Sequence, residues 1–255
     1  MALIDLHSHL LPGIDDGSPD LLTSLRLAQQ AVADGVQQVL VTPHHLNGRY
    51  LNHKAEVLKR TAQFRLTLSE NGIPLKVCPS QEVRLNGGLL DAIAADDILY
   101  ADKAGHYLML ELPSDSVPQY TRQLIYQLLQ QGIIPVIVHP ERNAGILADP
   151  NKLAELLRLG CLTQITASSY VGAFGKRVAW FTWQLIKAGQ VACVASDVHA
   201  LIKREYQLSA AYRRLTTQFG QALTNRYREN AWAIFNGQPV VLNWQPIRPK
   251  RFWLF

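Results

Sequence analysis

The first residues with an obvious chemical use are two histidines near the amino terminus. His7 and His9 stand two positions apart at the end of residues 3–6, an apolar run that predicts a buried strand. In extended chain, residues i and i+2 point to the same side, so both imidazoles can reach one metal ion or two adjacent ions. Asp15 and Asp16 follow closely and add carboxylate oxygens. The pattern predicts a metal site, although two polar loop histidines would give the same spacing.

Further metal-capable side chains follow other apolar, β-branched runs. They are His44 and His45 after the second run, Glu82 just after the third, Glu111 at the end of the fourth, His139 after the fifth, and Asp197 and His199 after the seventh. A mixture of imidazoles and carboxylates favours manganese, iron or zinc, with magnesium as a further alternative. Such a cluster can convert bound water to hydroxide near neutral pH and stabilise a displacement at phosphorus. Arg142 and Arg204 stand close by in sequence, and their planar guanidinium groups suit phosphate oxygens.

The elements that must position these residues follow a repeating pattern. A helical segment ends at glycine and a short β-branched run begins, which is typical of a helix followed by a strand. The predicted strands are residues 3–6, 36–41, 73–77, 107–112, 133–138, 161–165 and 191–195. Alternation of this kind predicts parallel strands joined by right-handed crossovers. Seven such units without a linker favour an α/β barrel, whose chemistry gathers at the carboxyl ends of the strands. Residues 204–237 are predicted to be helical throughout.

Composition agrees with a globular enzyme. The 255 residues are 48% apolar and 18% charged, which allows a large core. No apolar run reaches the ~20 residues of a membrane span, and no signal peptide is evident, so a cytoplasmic protein that is not inserted in a membrane is expected. Three cysteines are most simply buried free thiols. The net charge of +5 is concentrated after residue 200, but few aromatic residues accompany it, and no nucleic-acid partner is expected.

Taken together, the motifs resemble those of a known superfamily. They are His7-Ser8-His9, Asp16-Gly17, Thr42-Pro43-His44, Glu82, Glu111, His139-Pro140-Glu141-Arg142 and Ser196-Asp197 with His199. This set is similar to the PHP (polymerase and histidinol phosphatase) metal hydrolases. Within them, the length of the chain and Ile14-Asp15-Asp16-Gly17 resemble the CpsB/CapC-type tyrosine phosphatases of bacterial capsule and exopolysaccharide operons. The match extends to about residue 237 of a single domain, 1–255, and leaves 238–255 as a tail without a counterpart.

The resemblance implies a distorted, TIM-like (β/α)₇ barrel that holds three metal ions, usually manganese. It implies His7, His9, Glu82 and Asp197 at the first ion, Glu82, Glu111 and His139 at the second, and Asp16, His44 and His199 at the third. Arg142 and Arg204 would bind the phosphate, and Asp197 and His199 are also expected to act in catalysis. The family pattern selects Asp16 over Asp15 and His44 over His45, whose roles stay open. The implied substrate is the phosphotyrosine tail of a bacterial tyrosine kinase at the membrane.

Three alternatives are weighed against this hypothesis. Cys78 and Arg84 have the Cys-x₅-Arg spacing of cysteine-dependent phosphatases, but the loop between them has no glycine, one proline and an acid that would repel phosphate. A phosphatase of the same superfamily acting on histidinol phosphate is the nearest rival. A non-catalytic protein that binds the kinase tail through a basic surface would not need so many metal-capable residues.

Overall fold

Strands and helices alternate along the chain in this computed structural model, which describes residues 3–202 and 204–247. The strands are β1 (Leu3–Ser8), β2 (Val36–Val41), β3 (His44–His45), β4 (Lys76–Pro79), β5 (Glu82–Arg84), β6 (Tyr107–Glu111), β7 (Ile134–Val138), β8 (Leu162–Thr166) and β9 (Cys193–Ala195). The helices are α1 (Leu21–Ala33), α2 (Lys54–Glu70), α3 (Leu89–Ala94), α4 (Thr121–Gln130), α5 (Ala144–Ala148), α6 (Asn151–Leu159), α7 (Ala167–Val171), α8 (Gly175–Lys187), α9 (Leu208–Phe219) and α10 (Gln221–Phe235). A short 3₁₀ helix covers Pro140–Arg142.

All strand pairs are parallel, and they form two sheets with the orders β1-β2-β4 and β3-β5-β6-β7-β8-β9. The nine segments correspond to the seven predicted strands, because the second and third strands are each interrupted. Pro43, which has no N–H to donate, separates β2 from β3. Hydrogen bonds from Ser80 N to Val41 O (2.9 Å) and from Glu82 N to Pro43 O (3.1 Å) bridge the interruptions.

The first and last strands close the barrel. Ser8 pairs in parallel with Val198 just beyond β9, and His9 N donates to Val198 O at 3.0 Å. Asp197 N donates to His7 O at 2.9 Å. The predicted (β/α)₇ barrel is confirmed in this form. The contact that closes the barrel therefore lies beside four predicted metal ligands, His7, His9, Asp197 and His199.

Strand residues alternate between two buried clusters, and this alternation aims the site residues. On β6, Leu108 and Leu110 belong to the cluster that includes the apolar faces of the helices, whereas Tyr107 and Met109 belong to a second cluster made mainly of strand residues. Glu111 follows in the same alternation as Tyr107 and Met109. The carboxylate of Glu111 therefore lies on the same side of the sheet as Tyr107 and Met109, and not on the side that faces the helices.

The carboxyl-terminal part of the chain differs from the prediction in two ways. The helical stretch predicted for 204–237 is wrong as a single unit, because residues before Leu208 are not helical and Gly220 (φ 86°) separates α9 from α10. Residues 238–247 cross the base of the barrel, where Tyr107 Oη donates to Gln238 O (2.7 Å) and Gln245 N donates to Ala188 O (2.9 Å). The rest of the predicted tail, 248–255, lies outside the described residues.

Within residues 3–202 and 204–247, no helix combines the length and the apolar character needed to cross a membrane.

Candidate metal centre

Nine side chains converge at the carboxyl ends of the strands. His7, His44, Glu82 and Glu111 lie on strands β1, β3, β5 and β6, and the others lie in the segments that follow β1, β7 and β9. Their ligand atoms form four groups, each with all atoms within 4.8 Å of one another: His9, Asp16, His44 and His199; His7, Glu82 and His139; His7, His9 and Asp197; and His44, Glu82 and Glu111. The structure thus brings together all nine residues that were predicted as metal ligands.

Glu82 is the centre of this arrangement. Its Oε2 lies 2.9 Å from His44 Nδ1, 3.2 Å from His7 Nε2 and 3.3 Å from His9 Nε2. Its Oε1 lies 2.7 Å from His139 Nε2. One buried carboxylate therefore contacts four imidazoles from three different segments of the chain. The sequence predicted Glu82 just after the third strand, but that strand resumes as β5 and Glu82 is its first residue. From this position in the sheet the side chain projects into the middle of the site.

The chemistry of these atoms fits metal ions. Glu82 Oε2 and His44 Nδ1 are buried, and neither has a hydrogen-bond partner among the described residues despite their short separation. A buried polar atom without a partner costs free energy that a bound cation would recover. The imidazole and carboxylate donors are the set that manganese, iron and zinc share.

The four groups overlap with the ligand sets implied by the resemblance but do not coincide with them. His9 joins Asp16, His44 and His199, and His44 joins Glu82 and Glu111. Glu111 and His139, which were expected at one ion, fall in different groups. The assignment of each residue to a particular ion therefore stays a prediction.

The histidines of the cluster differ in their affinity for protons. Burial lowers the pKa of His9, but the carboxylates of Asp15 and Glu82 together outweigh burial and raise the pKa to about 9. Burial and the Arg142 guanidinium lower the pKa of His139 to about 4. His139 is therefore neutral near pH 7, with a lone pair to offer, whereas His9 carries a proton that a bound ion must displace.

The pKa values of three buried carboxyl groups are shifted in different directions: those of Glu82 and Asp197 are lowered and that of Glu111 is raised. Burial raises the pKa of Glu82, yet His44 and His7 outweigh burial and hold the pKa well below its usual range. Burial and the nearby Glu82 carboxylate raise the pKa of Glu111 to about 7. Burial also raises the pKa of Asp197, but the Arg142 guanidinium and His7 keep it well below its usual range. Perturbation of this size by neighbouring charges is typical of functional sites.

Both predicted phosphate-binding arginines reach the cluster. Arg142 Nη2 lies 2.5 Å from Asp197 Oδ2, and Arg204 Nη2 lies 3.2 Å from the same oxygen. The two guanidinium groups thus converge on one side of the metal-capable residues. A third guanidinium, that of Arg84, pairs through Nε with Glu111 Oε2 at 2.9 Å. Arg84 lies two residues after Glu82 on the same strand, and this spacing alone predicts that both side chains point to the same side.

Two residues that hold the histidines in position were not predicted in that role. Asp15 Oδ2 accepts from His9 Nδ1 at 2.7 Å, and its Oδ1 accepts from Gly17 N at 2.9 Å. Gln164 Oε1, on β8, lies 2.8 Å from His7 Nδ1. Partners of this kind fix the tautomer and the orientation of a metal-binding imidazole. Gly17 allows the close approach of the loop, because a Cβ there would lie 2.3 Å from His9 Cβ.

His45, whose role the sequence left open, points elsewhere. It is buried outside the four groups, and its Nε2 lies 3.7 Å from Asp97 Oδ2. His53 and His106, which the sequence indicated as surface residues, are more than half exposed and also lie outside the groups.

The backbone is strained at two of the site residues. His139 and Asp197 have φ angles of 36° and 50°, in the left-handed region that residues other than glycine seldom adopt. Both backbone N–H groups are fixed by hydrogen bonds to neighbouring strands: His139 N donates to Gln164 O (2.7 Å) and Asp197 N donates to His7 O. Strain of this kind is concentrated at functional sites.

The cluster opens into a cavity of about 450 Å³. Its lining includes Arg142, Arg204 and Arg84 and two partly exposed aromatic residues, Tyr50 and Phe174. Cys78 lies elsewhere, in a groove formed by α2, β4 and residues 98–104. The cysteine-dependent alternative is therefore not supported, since its thiol does not share a cavity with the convergent arginines.

By fold and site, the protein is a parallel barrel of the metal-dependent hydrolase type. The chain belongs to the family described as "Capsular polysaccharide synthesis, CpsB/CapC", whose profile matches residues 3–236. It is 38% identical over 254 residues to tyrosine-protein phosphatase YwqE of Bacillus subtilis, covering 99% of both chains. It is 32% identical over 241 residues to the putative tyrosine-protein phosphatase CapC of Staphylococcus aureus, covering 94% of this chain and 92% of the relative.

Solved structures agree with this assignment. A chain from the crystal structures of YwqE from Bacillus subtilis and CpsB from Streptococcus pneumoniae, described as "unique metal-dependent tyrosine phosphatases", superposes with a TM-score of 0.93 at 37% identity, covering 97% of this chain and 100% of that chain. A TatD family hydrolase from Entamoeba histolytica, 10% identical, shares the fold with a TM-score of 0.54 over 92% of this chain and 98% of that chain.

Proposed function

We propose that the protein is a metal-dependent protein-tyrosine phosphatase, which hydrolyses phosphotyrosine to tyrosine and inorganic phosphate. The observation that carries the proposal is the convergence of two arginines with seven of the nine metal-capable residues on one cavity. The relatives that are 38% and 32% identical, both named as tyrosine phosphatases, support the same activity.

The metal-capable residues supply the first part of the mechanism. Those that would hold the ions are His7, His9, Asp16, His44, Glu82, Glu111, His139, Asp197 and His199. Bound ions supply a water molecule of lowered pKa and positive charge beside the phosphoryl oxygens. Glu82, in contact with four imidazoles, is the residue best placed to be shared between ions. The proposal includes three ions per chain, with manganese as the metal.

The arginines supply the second part. Negative charge spreads over the phosphoryl oxygens as the bond to the tyrosine oxygen breaks, and a fixed guanidinium group stabilises that charge without reorganisation. Arg142 and Arg204 now pair with Asp197. In the proposed complex the phosphoryl oxygens would become their partners, and Asp197 would be among the residues that hold metal.

His199 is held so that one ring nitrogen faces the cluster. Its Nδ1 lies 3.0 Å from the backbone carbonyl of Asp197, which can only accept, so Nδ1 carries the hydrogen. The lone pair is then on Nε2, which lies 3.6 Å from Asp16 Oδ1. Burial lowers the pKa of His199 well below its usual range, which keeps the ring neutral. This nitrogen is available to bind an ion.

The finer parts of the proposal concern partner and location. The family description links the chain to capsular polysaccharide synthesis, and we propose a tyrosine-phosphorylated protein as substrate, specifically a bacterial tyrosine kinase at the membrane. Action on such a kinase from the cytoplasm is part of the same proposal. Incubation of the protein with an autophosphorylated kinase of this type, followed by phosphotyrosine blotting, tests the partner directly.

The activity is tested with three substrates under defined metal conditions. A phosphotyrosine peptide, the matching phosphoserine peptide and histidinol phosphate are offered to protein loaded with manganese, zinc or magnesium, and to protein treated with a chelator. Rapid release of phosphate from the phosphotyrosine peptide, abolished by the chelator, is the expected result. Preferred hydrolysis of histidinol phosphate, or activity that survives complete removal of metal, would overturn the proposal.

A further inference from the structure

Two aromatic side chains in the cavity are not explained by the packing of the fold. Tyr50, in the loop between β3 and α2, and Phe174, between α7 and α8, both line the cavity that holds Glu82 and Arg142. Both are partly exposed, and neither belongs to or packs against the two buried hydrophobic clusters. Two aromatic surfaces inside a cavity that also holds several arginines and carboxylates indicate a ligand with both a charged and an apolar part.

Each ring lies beside a group assigned above to the phosphate or the metal. The Tyr50 ring is nearly parallel to the His44 ring, with an interplanar angle of 10° and centroids 6.0 Å apart. The Arg142 guanidinium carbon lies 4.8 Å from the centroid of Phe174. An aromatic face is therefore present next to the metal-capable cluster and another next to an arginine of the phosphate site.

We infer that Tyr50 and Phe174 bind the aromatic ring of the substrate and so favour aryl over alkyl phosphomonoesters. In phosphotyrosine the ester oxygen is bonded directly to the ring. A phosphoryl group bound at Arg142 therefore places the ring next to it inside the same cavity. In phosphoserine a single methylene takes the place of the ring, and the contact is lost. Aromatic rings attract one another in offset or edge-to-face arrangements, which both residues can offer.

This role predicts a particular kinetic signature. The ring of the substrate is the same in the bound ground state and in the transition state, so its contacts contribute uniform binding. Removal of either aromatic side chain, Tyr50 or Phe174, should raise KM for an aryl phosphate about threefold to tenfold and leave kcat nearly unchanged. Loss of an arginine of the phosphate site would instead lower kcat.

The inference rests on the proposed function, and its test measures binding without turnover. Phenylphosphonate and methylphosphonate share the phosphonate group and differ in the ring. Their Kd values are measured by calorimetry on metal-loaded wild type, Tyr50→Ala and Phe174→Ala. We expect wild type to prefer phenylphosphonate, and each variant to lose about threefold to tenfold in affinity for it while binding methylphosphonate as before.

Conservative variants and a control separate recognition from structural damage. Tyr50→Phe and Phe174→Tyr keep a ring and should retain the preference. Tyr126→Ala removes a more exposed aromatic residue (57%) on α4, which does not line the cavity, and should change nothing. Equal weakening of both phosphonates, or no weakening of either, would overturn the inference. Absence of phosphatase activity in wild type would instead refute the proposed function, because the phosphonate comparison does not depend on hydrolysis.

Discussion

Replacing Asp15 by asparagine tests how the cluster is held together. The Asp15 carboxylate is fully buried and meets three N–H groups: Oδ2 accepts from His9 Nδ1 (2.7 Å) and from His44 N (3.2 Å), and Oδ1 accepts from Gly17 N (2.9 Å). Asparagine keeps the size of the side chain but has one oxygen and one NH₂ group. At least one of the three donors must then face another donor, and the charge that orients His9 is lost.

The size of the effect follows from these contacts. Loss of an outer partner of a metal-binding histidine typically lowers metal affinity about 10- to 100-fold, or ~1.4 to 2.7 kcal/mol. Asp15→Asn should fall near the upper end, because the carboxylate is buried and also positions the backbone beside a second predicted ligand, His44. The pKa of His9, raised to about 9 mainly by Asp15, should fall in the same variant.

Competition with a chromophoric chelator measures the affinity of wild type and variant for manganese and zinc, and circular dichroism monitors folding. Asp20→Asn is the matched control, since Asp20 lies in the same loop, caps α1 by accepting from Thr23 N (2.7 Å), and makes no contact with His9. Asparagine caps a helix as well as aspartate, so this control should keep full affinity. If Asp15→Asn stays folded and binds metal as tightly as wild type, the carboxylate does not organise the cluster.

Other substitutions test the remaining groups. Arg142→Ala and Arg204→Ala should lower kcat on a phosphotyrosine peptide about 10²- to 10³-fold, and more for Arg142 (19% exposed) than for Arg204 (31%). Lysine at either position should rescue part of the loss. Metal content should be undiminished, because both cations compete with metal for Asp197. Wild-type kcat in both alanine variants would contradict their role. Glu82→Gln should lower the number of ions per chain found by elemental analysis, since it contacts four imidazoles; an unchanged number would rule out a shared carboxylate. Cys78→Ser should retain most activity, and loss of activity with metal content unchanged would overturn the metal mechanism.

Much of the site was predictable because strand ends in a parallel barrel converge. His7, Glu111 and His139 could be placed from apolar runs alone, since the carboxyl ends of parallel strands face one edge of the barrel. The choice of Asp16 over Asp15 needed the family resemblance. The structure supplies the physical reason that spacing could not: Asp15 turns towards His9 Nδ1, whereas Asp16 lies 3.2 Å from His44 Nε2.

Other features depend on contacts between distant residues and leave no local signal. Gln164 reaches His7 only because β8 and β1 approach each other in the closed barrel. The sequence of residues 238–247 has no periodic pattern, yet Gln190 Nε2 donates to Gln245 O (2.8 Å) and so joins this segment to the base of the barrel. Gly220 was included in a predicted helix because glycine in a helical pattern is tolerated, and only the packing of α9 and α10 decides where the chain breaks.

The left-handed backbone at His139 and Asp197 has a consequence for protein engineering. A residue with a side chain in this conformation costs on the order of 1–3 kcal/mol, a penalty that glycine avoids. Glycine at these two positions would relieve the backbone strain but eliminate two metal-capable side chains, and at Asp197 it would also leave Arg142 and Arg204 without their carboxylate partner. Thermostable versions of this barrel must be sought with both positions held constant, and stability must be gained elsewhere, for example on the solvent faces of the outer helices.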